Sequence, residues 1–174
     1  MTNDIERKTA VHLRAMEPED LELLYQIENN PDVWKVGLTN VPYSRYVLRD
    51  YIARATGDIY TDRQVRLIIE NDEQQSVGII DLVNFEPQHH RAEVGIVIRE
   101  SFRHQGLGAE ALEQLKQYAH DIVHLHQLFA YVDMENEESL QLFLKAGFER
   151  SAILKDWLFD GHDYHPVSFL QLFF

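Results

Sequence analysis

The sequence predicts a mixed α/β domain of the α+β kind, with a mostly antiparallel central sheet and flanking helices. Three observations carry this. The β-rich runs Arg66–Glu70, Ser76–Asn84 and Ala92–Ile98 follow one another with short connections, as hairpins do. Segments of helical spacing stand before and after them rather than between them. Two further runs, Phe148–Phe159 and Asp163–Phe173, flank the turn dipeptide Asp160-Gly161. The order β-α-α-β-β-β-α-β-α-β-β is not the strict alternation of a Rossmann or barrel fold.

Each element has a local reason. Val11–Arg14 reads as a short strand. Pro18 suits a first helical turn, and Glu19, Asp20 and Glu22 favour its positive end, giving a helix to about Asn29. Ser44 caps a second helix, in which Val47, Leu48, Tyr51, Ile52 and Ala55 recur at helical spacing before Gly57. Asn71–Gln75 joins the first two β-runs as a hairpin. Ala92–Ile98 is almost wholly apolar, as a central strand should be. Gly106–Asp121 is helical, with Leu107, Ala111, Leu112, Leu115 and Ala119 on one side. Leu128–Val132 is a strand and Glu137–Ala146 a short helix ending at Gly147. Pro166 marks an edge, a bulge or a break in the last strand.

The 174 residues suit a single domain spanning 1–174, with no linker, repeat or low-complexity tract. Without cysteine there is no disulfide scaffold, thiolate zinc site or cysteine nucleophile. No apolar run approaches the roughly 18–20 residues that span a bilayer. The polar N-terminus, Met1 to Lys8, lacks an apolar signal core, which points to a cytoplasmic protein. With 29 acidic and 16 basic residues the formal net charge is −13. That argues against nucleic-acid or membrane-surface partners and favours neutral or cationic substrates.

The most informative stretch is Ala92–Glu110, AEVGIVIRESFRHQGLGAE. A central strand ends, and Arg103-His104-Gln105-Gly106-Leu107-Gly108 then opens a helix. Glycines let the backbone approach an anion, and the first helix amides lack intrahelical partners. With the helix dipole and Arg103 these make a phosphate cradle. It is neither a Walker loop nor a dinucleotide fingerprint. A solvated connection with purely geometric glycines is the alternative.

Here the sequence resembles the GNAT superfamily of acyl-CoA-dependent N-acetyltransferases. Arg103-x-x-Gly106-x-Gly108 matches that family's pyrophosphate loop. Glu135–Phe148, with Asn136, a short helix and a terminal Gly-Phe, continues the resemblance, as do Leu13-Arg14 with Glu19-Asp20-Leu21 and the C-terminal hairpin with Phe159, Gly161 and Tyr164. The match spans nearly the whole chain and is similar to the branch holding spermidine/spermine N-acetyltransferases and enzymes that acetylate ribosomal proteins. The resemblance implies the GNAT fold, acetyl-CoA as cosubstrate, and no metal. It implies that the amides around His104, Gln105, Gly106, Leu107, Gly108 and Ala109 hold the CoA pyrophosphate, with Arg103 beside them. It further implies that the backbone of Val97 and Ile98 pairs with the pantetheine arm and that Asn136 bonds its amide region.

The implied reaction is attack of a primary amine on a thioester. An amine of pKa near 10.4 is deprotonated in about one molecule in 10³ at neutral pH, so a general base is useful. Glu93 is the first candidate, by its place in the strand and its apolar neighbours; a surface glutamate paired with Arg91 or Arg99 is the alternative. Asp81, which interrupts an apolar run, is the second candidate, and His89 or His90 a third. Many family members carry a tyrosine seven residues after the Asn, as proton donor to the departing thiolate. Here that position is Phe143, beside the CoA site and without a hydroxyl. Water, Ser139 or Tyr131 then substitutes, or the rate falls by roughly 10²–10⁴. A CoA-binding sensor is therefore the rival reading.

On the acceptor side the expected residues are Glu28, Trp34, Tyr43 and Tyr164, with acidic clusters at 17–32 and 133–138 to attract a cation, unless those clusters are solvated faces. The run Leu38-Thr39-Asn40-Val41-Pro42-Tyr43 lacks the acidic residues that polyamine acetyltransferases of this branch carry before Pro-Tyr, so a small amine, an aminoglycoside and a peptide N-terminus all stand open. His120 and His124 have metal-pair spacing, but a helix C-terminus favours histidine without metal. A homo-oligomer through the exposed C-terminal strand fits the pattern.

Overall fold

The structure is a computed structural model that describes residues 11–34 and 41–174. Its strands are β1 (Val11–Ala15), β2 (Val65–Asn71), β3 (Ser76–Glu86), β4 (Arg91–Ile98), β5 (Gln127–Asp133), β6 (Glu149–Phe159) and β7 (Tyr164–Phe173). Its helices are α1 (Leu21–Glu28), α2 (Pro31–Trp34), α3 (Arg45–Arg54), α4 (Ile59–Asp62), α5 (Leu107–Asp121) and α6 (Glu137–Lys145). A 3₁₀ turn at Pro18–Asp20 leads into α1. The predicted elements are present, and α2 and α4 are additions. Each of these is a single turn, too short to show a period, though Asp58 caps α4 through the Tyr60 and Thr61 amides.

The strands form one seven-stranded sheet in the order β1-β2-β3-β4-β5-β7-β6. Neighbours are antiparallel except β4 and β5. That parallel ladder has three rungs, Arg91↔Gln127, Ala92↔Leu128 and Glu93↔Phe129, and then ends. Beyond it β4 stays with β3 as far as Ile98↔Gly78, while β5 stays with β7 as far as Asp133↔Val167. The sheet therefore opens between β4 and β5 just past Glu93.

Alternation along the strands separates two faces. On one face Leu82, Val94, Leu128, Ala130 and Leu170 pack under α5 and α6, meeting Leu107, Ala111, Leu112, Leu115, Leu140 and Phe143. Truncating a fully buried leucine such as Leu112 to alanine costs about 2–5 kcal/mol. On the other face Leu23 and Ile27 of α1 cover Ile68, Ile79 and Val97. Pro166 lies in β7, an interior strand, where the β6 register shifts between Leu154 and Leu158. The predicted bulge thus accommodates its missing N–H.

Candidate active site

The phosphate loop is set by backbone conformation. His104 and Gly106 have φ of +61° and +79°, which turns the chain sharply into α5. A Cβ at Gly106 would meet nothing within 4 Å, so the space over this loop is open. The first α5 amides face that space without intrahelical acceptors. Gly108 serves close packing: a Cβ there would stand 3.4 Å from Ile98 and 3.7 Å from Leu142. Arg103 folds back, its Nε donating to the Ile98 carbonyl at 3.0 Å. The residues fit a pyrophosphate, with an open glycine, a helix N-terminus and an adjacent guanidinium. A cavity of about 520 Å³ runs from Val97, Ile98 and Arg103 to Gln26 of α1 and to Asn30 between α1 and α2.

Val97 and Ile98 lie in the half of β4 that has left β5, so their edge on that side is free of ladder partners. The Asn136 side chain caps α6, its Oδ1 accepting from the Ser139 amide at 3.1 Å. Its Nδ2 remains as a donor. Phe143 is buried at 3% exposure and meets Phe148 edge-on, with centroids 5.0 Å apart. It is a core ring with no proton to give.

Glu93 occupies the last rung of the β4–β5 ladder and is half-buried. Burial pushes its carboxyl above the ordinary range, opposed by a hydrogen bond from Asn84. That bond runs from Asn84 Nδ2 to Glu93 Oε2 at 2.7 Å. Among the described residues no cation pairs with Glu93, so the alternative of a pair with Arg91 or Arg99 is not the arrangement found: Arg91 binds Glu86 at 2.8 Å and Arg99 donates to the Ser76 carbonyl.

Asp81 is differently placed. Arg66 grips both its oxygens, Nε to Oδ1 at 2.9 Å and Nη2 to Oδ2 at 2.8 Å. Burial pushes this carboxyl up, and the Arg66 charge and hydrogen bonds oppose it. Glu28 bonds the same guanidinium through Nη1. Arg66 thus ties α1 to the sheet, with Asp81 lying against Gly95 of β4. Glu28 and Asp81 are tied to Arg66 in this buried network, whereas Glu93 has no cation beside it among the described residues.

The other expected acceptor residues divide between two places. The Trp34 indole N–H donates to the Glu28 carbonyl at 2.5 Å, and Tyr43 is clasped by Asn29 through both its amide and its carbonyl. Glu28, Trp34 and Tyr43 are therefore gathered at the end of α1. Tyr164 stands at the β6–β7 turn, exposed and tilted against Phe159. Leu38, Thr39 and Asn40 lie outside the described residues. Much of the first acidic cluster is ion-paired, Asp20 to Arg14 at 2.8 Å and Glu22 to Arg45 at 2.6 Å. Among the described residues no group of three or more His, Cys, Asp or Glu side chains could hold a metal.

Sequence reasoning missed Asn84, Arg66 and Phe129, and named Tyr131 of β5 only as a substitute proton donor and not as part of an aromatic wall. The wall had a signal. Leu128, Ala130 and Val132 enter the core, so alternation turns Phe129 and Tyr131 to the opposite face.

Residues 10–149 match the family described as Acetyltransferase (GNAT) domain. The chain belongs to the GNAT acetyltransferases. It is 30% identical over 165 residues to the spermidine N(1)-acetyltransferase of Escherichia coli K12, covering 94% of this chain and 86% of that one. Its fold is similar to that of the spermidine N-acetyltransferase of Vibrio cholerae in complex with CoA and spermine, with a TM-score of 0.82, 23% identity, and coverage of 94% and 95%. A dodecameric structure of that Vibrio enzyme in an intermediate state gives 0.79 at 21% identity, covering 94% and 93%.

Proposed function

We propose that this GNAT member transfers an acetyl group from acetyl-CoA to a primary amine of a small cationic molecule, with Glu93 as the general base. The observation that carries the reading is Glu93 itself, a half-buried carboxylate with an amide partner and, among the described residues, no cation, at the point where β4 and β5 part. Acetyl-CoA supplies an acyl group activated as a thioester. Gly106 and the first α5 amides hold its pyrophosphate, and Arg103 adds charge beside them. The free edge of Val97 and Ile98 orients the arm toward Glu93. Glu93 would take the proton from the incoming ammonium and leave the nitrogen lone pair to attack the thioester carbonyl. The C–S bond would break and CoA would depart as its thiolate, protonated by solvent because Phe143 has no proton to give. Its raised carboxyl makes it a better proton acceptor than an exposed glutamate. The relatives act on spermidine by name, which puts polyamines first among the acceptors.

A second reading, a CoA-binding sensor, rests on Phe143, whose buried ring offers no acid. Thiol release from acetyl-CoA across polyamines, aminoglycosides and peptides with free N-termini separates the two. Glu93-dependent turnover supports the enzyme, and silence with acetyl-CoA bound supports the sensor. We further propose a homo-oligomer, formed not through the C-terminal strand β7, which lies between β5 and β6, but through the edge strand β6, where Ile153, Trp157 and Phe159 are exposed. Sedimentation showing a monomer throughout would overturn that.

A further inference from the structure

We propose that His165 is a positioning residue for the cosubstrate, clasping the β6–β7 turn to the loop between β5 and α6 and so holding Asn136 where CoA's pantetheine arm would pass. The proposal rests on the acetyl-CoA reading and adds to it a residue which that reading does not use.

The backbone ties this corner weakly. The β5–β7 ladder ends at Asp133↔Val167, and the β6–β7 register shifts between Leu154 and Leu158. Pro166 has no N–H to give, and its carbonyl accepts from the Met134 amide at a long 3.4 Å. His165 stands beside it. Its Nε2 meets Asp160 Oδ2 at 2.8 Å, and its Nδ1 faces Glu135 Oε1 at 3.7 Å. Asp160 is fixed within the turn, because its Oδ1 accepts from the His162 and Asp163 amides, both at 2.8 Å. Across the gap, the Glu135 amide donates to Asp133 Oδ1 and the Asn136 amide to the Asp133 carbonyl, each at 2.9 Å. Glu135 directly precedes Asn136, whose side chain caps α6. The His165 ring therefore joins a fixed turn to the loop that presents Asn136.

Protonation decides whether both ends hold. An imidazolium donates from both nitrogens, and a neutral ring from one. With the remaining proton kept on Nε2 by Asp160, a neutral ring turns its Nδ1 lone pair toward the Glu135 carboxylate. Attraction then becomes repulsion. The charged groups acting on the ring are Asp160 of the turn and Glu135 and Asp133 of the loop. The hydrogen bond to Asp160, foremost, and these three charges hold the imidazole above its ordinary value, against some desolvation. The clasp is complete below the ordinary imidazole value and is lost as pH rises through the raised one. A loosened loop must be ordered again when CoA binds, which weakens affinity.

The test titrates CoA calorimetrically into the full chain at about pH 6 and about pH 9, on either side of the imidazole titration. Each variant is read against the wild type at the same pH, so that ionisation of CoA cancels. His165→Gln should bind CoA about threefold more weakly at the lower pH, the size expected for one exposed ion pair, and equally at the higher. In a Glu135→Gln background, His165→Gln should have no further effect. Equal loss at both pH values means packing alone, and equal loss in both backgrounds means that the imidazolium acts on CoA directly; either overturns the proposal. The clasp is also read without CoA. By nuclear magnetic resonance the His165 ring should titrate above the ordinary histidine range, with Glu135→Gln lowering its midpoint, and an unmoved midpoint overturns the clasp. A wild type that binds no CoA overturns the cosubstrate role together with the acetyl-CoA reading, whatever the titration shows.

Discussion

Asn84 Nδ2 donates a 2.7 Å hydrogen bond to Glu93 Oε2 across a break in the β3–β4 ladder. Asn84 sits at φ +49°, a conformation that asparagine tolerates better than most residues. The bond holds the Glu93 carboxylate still and partly offsets its burial. Two consequences for pH dependence follow from this one contact. On the proposed role Glu93 must be ionised to work, so activity should fall as pH drops through its raised pKa. Removing the amide with Asn84→Gly leaves burial unopposed and moves that acid limb to higher pH. Profiles of kcat/KM for the two proteins measure this, and a limb that stays in place refutes the assignment. Glu93→Gln should lower kcat/KM by roughly 10²–10⁴.

Glu93 should also cost stability. Burial holds its folded pKa above the ordinary glutamate value of 4.5, so the ionised form is worse off folded than unfolded. The penalty is absent below about pH 4.5 and complete above the folded pKa. Glu93→Gln keeps an oxygen for Asn84 and removes the charge. It should melt above the wild type at pH 7, with the gap closing toward pH 4. A variant less stable than the wild type at neutral pH would overturn the claim that the buried Glu93 charge costs stability.

The sequence made the strand–loop–helix unit at 92–121 legible because its signals are local. Gly106 and Gly108 punctuate it, and the α5 apolar residues recur at helical spacing. Phe143 was open to reading as a site residue, and its place in the core follows from packing with Leu140 and Phe148. The Arg66 network was not legible. Its members come from α1, β2 and β3, and Arg66 and Glu28 are 38 residues apart. Alternation says which face each one takes, but not which carboxylate meets which guanidinium. Glu28 was therefore expected to face the acceptor, and Asp81 to compete with Glu93.

Arg66 holds two carboxylates under α1, and removing it leaves both buried without a cation. Arg66→Met keeps the apolar stem of the side chain and should cost about 3–5 kcal/mol at pH 7. The loss should shrink as pH falls and Asp81, whose carboxyl burial pushes up, takes up a proton. Denaturant melts at pH 7 and pH 4.5 check this. A loss that is the same at both would mean that packing of the stem, and not charge, is what the position supplies.

Gly78 sets the path of β4 where the cosubstrate arm would lie. A Cβ there would come within 2.2 Å of the Val97 carbonyl oxygen and 3.1 Å of the Ile98 Cα, both backbone atoms that cannot rotate away. Gly78→Ala must push Val97 and Ile98 outward, at a cost of about 1–3 kcal/mol or more. Gly106 offers the contrast. Its Cβ would meet open space, but φ is +79°, so Gly106→Val is strained while Gly106→Asn is tolerated. Gly78→Ala should therefore lower the melting temperature and CoA affinity together. Gly106→Asn should keep the melting temperature and weaken CoA alone, because its side chain projects into the space where the pyrophosphate would sit. Calorimetric titration of CoA, read beside thermal melts of both variants, tests the cradle. If Gly106→Asn binds CoA as the wild type does, the phosphate does not rest over Gly106.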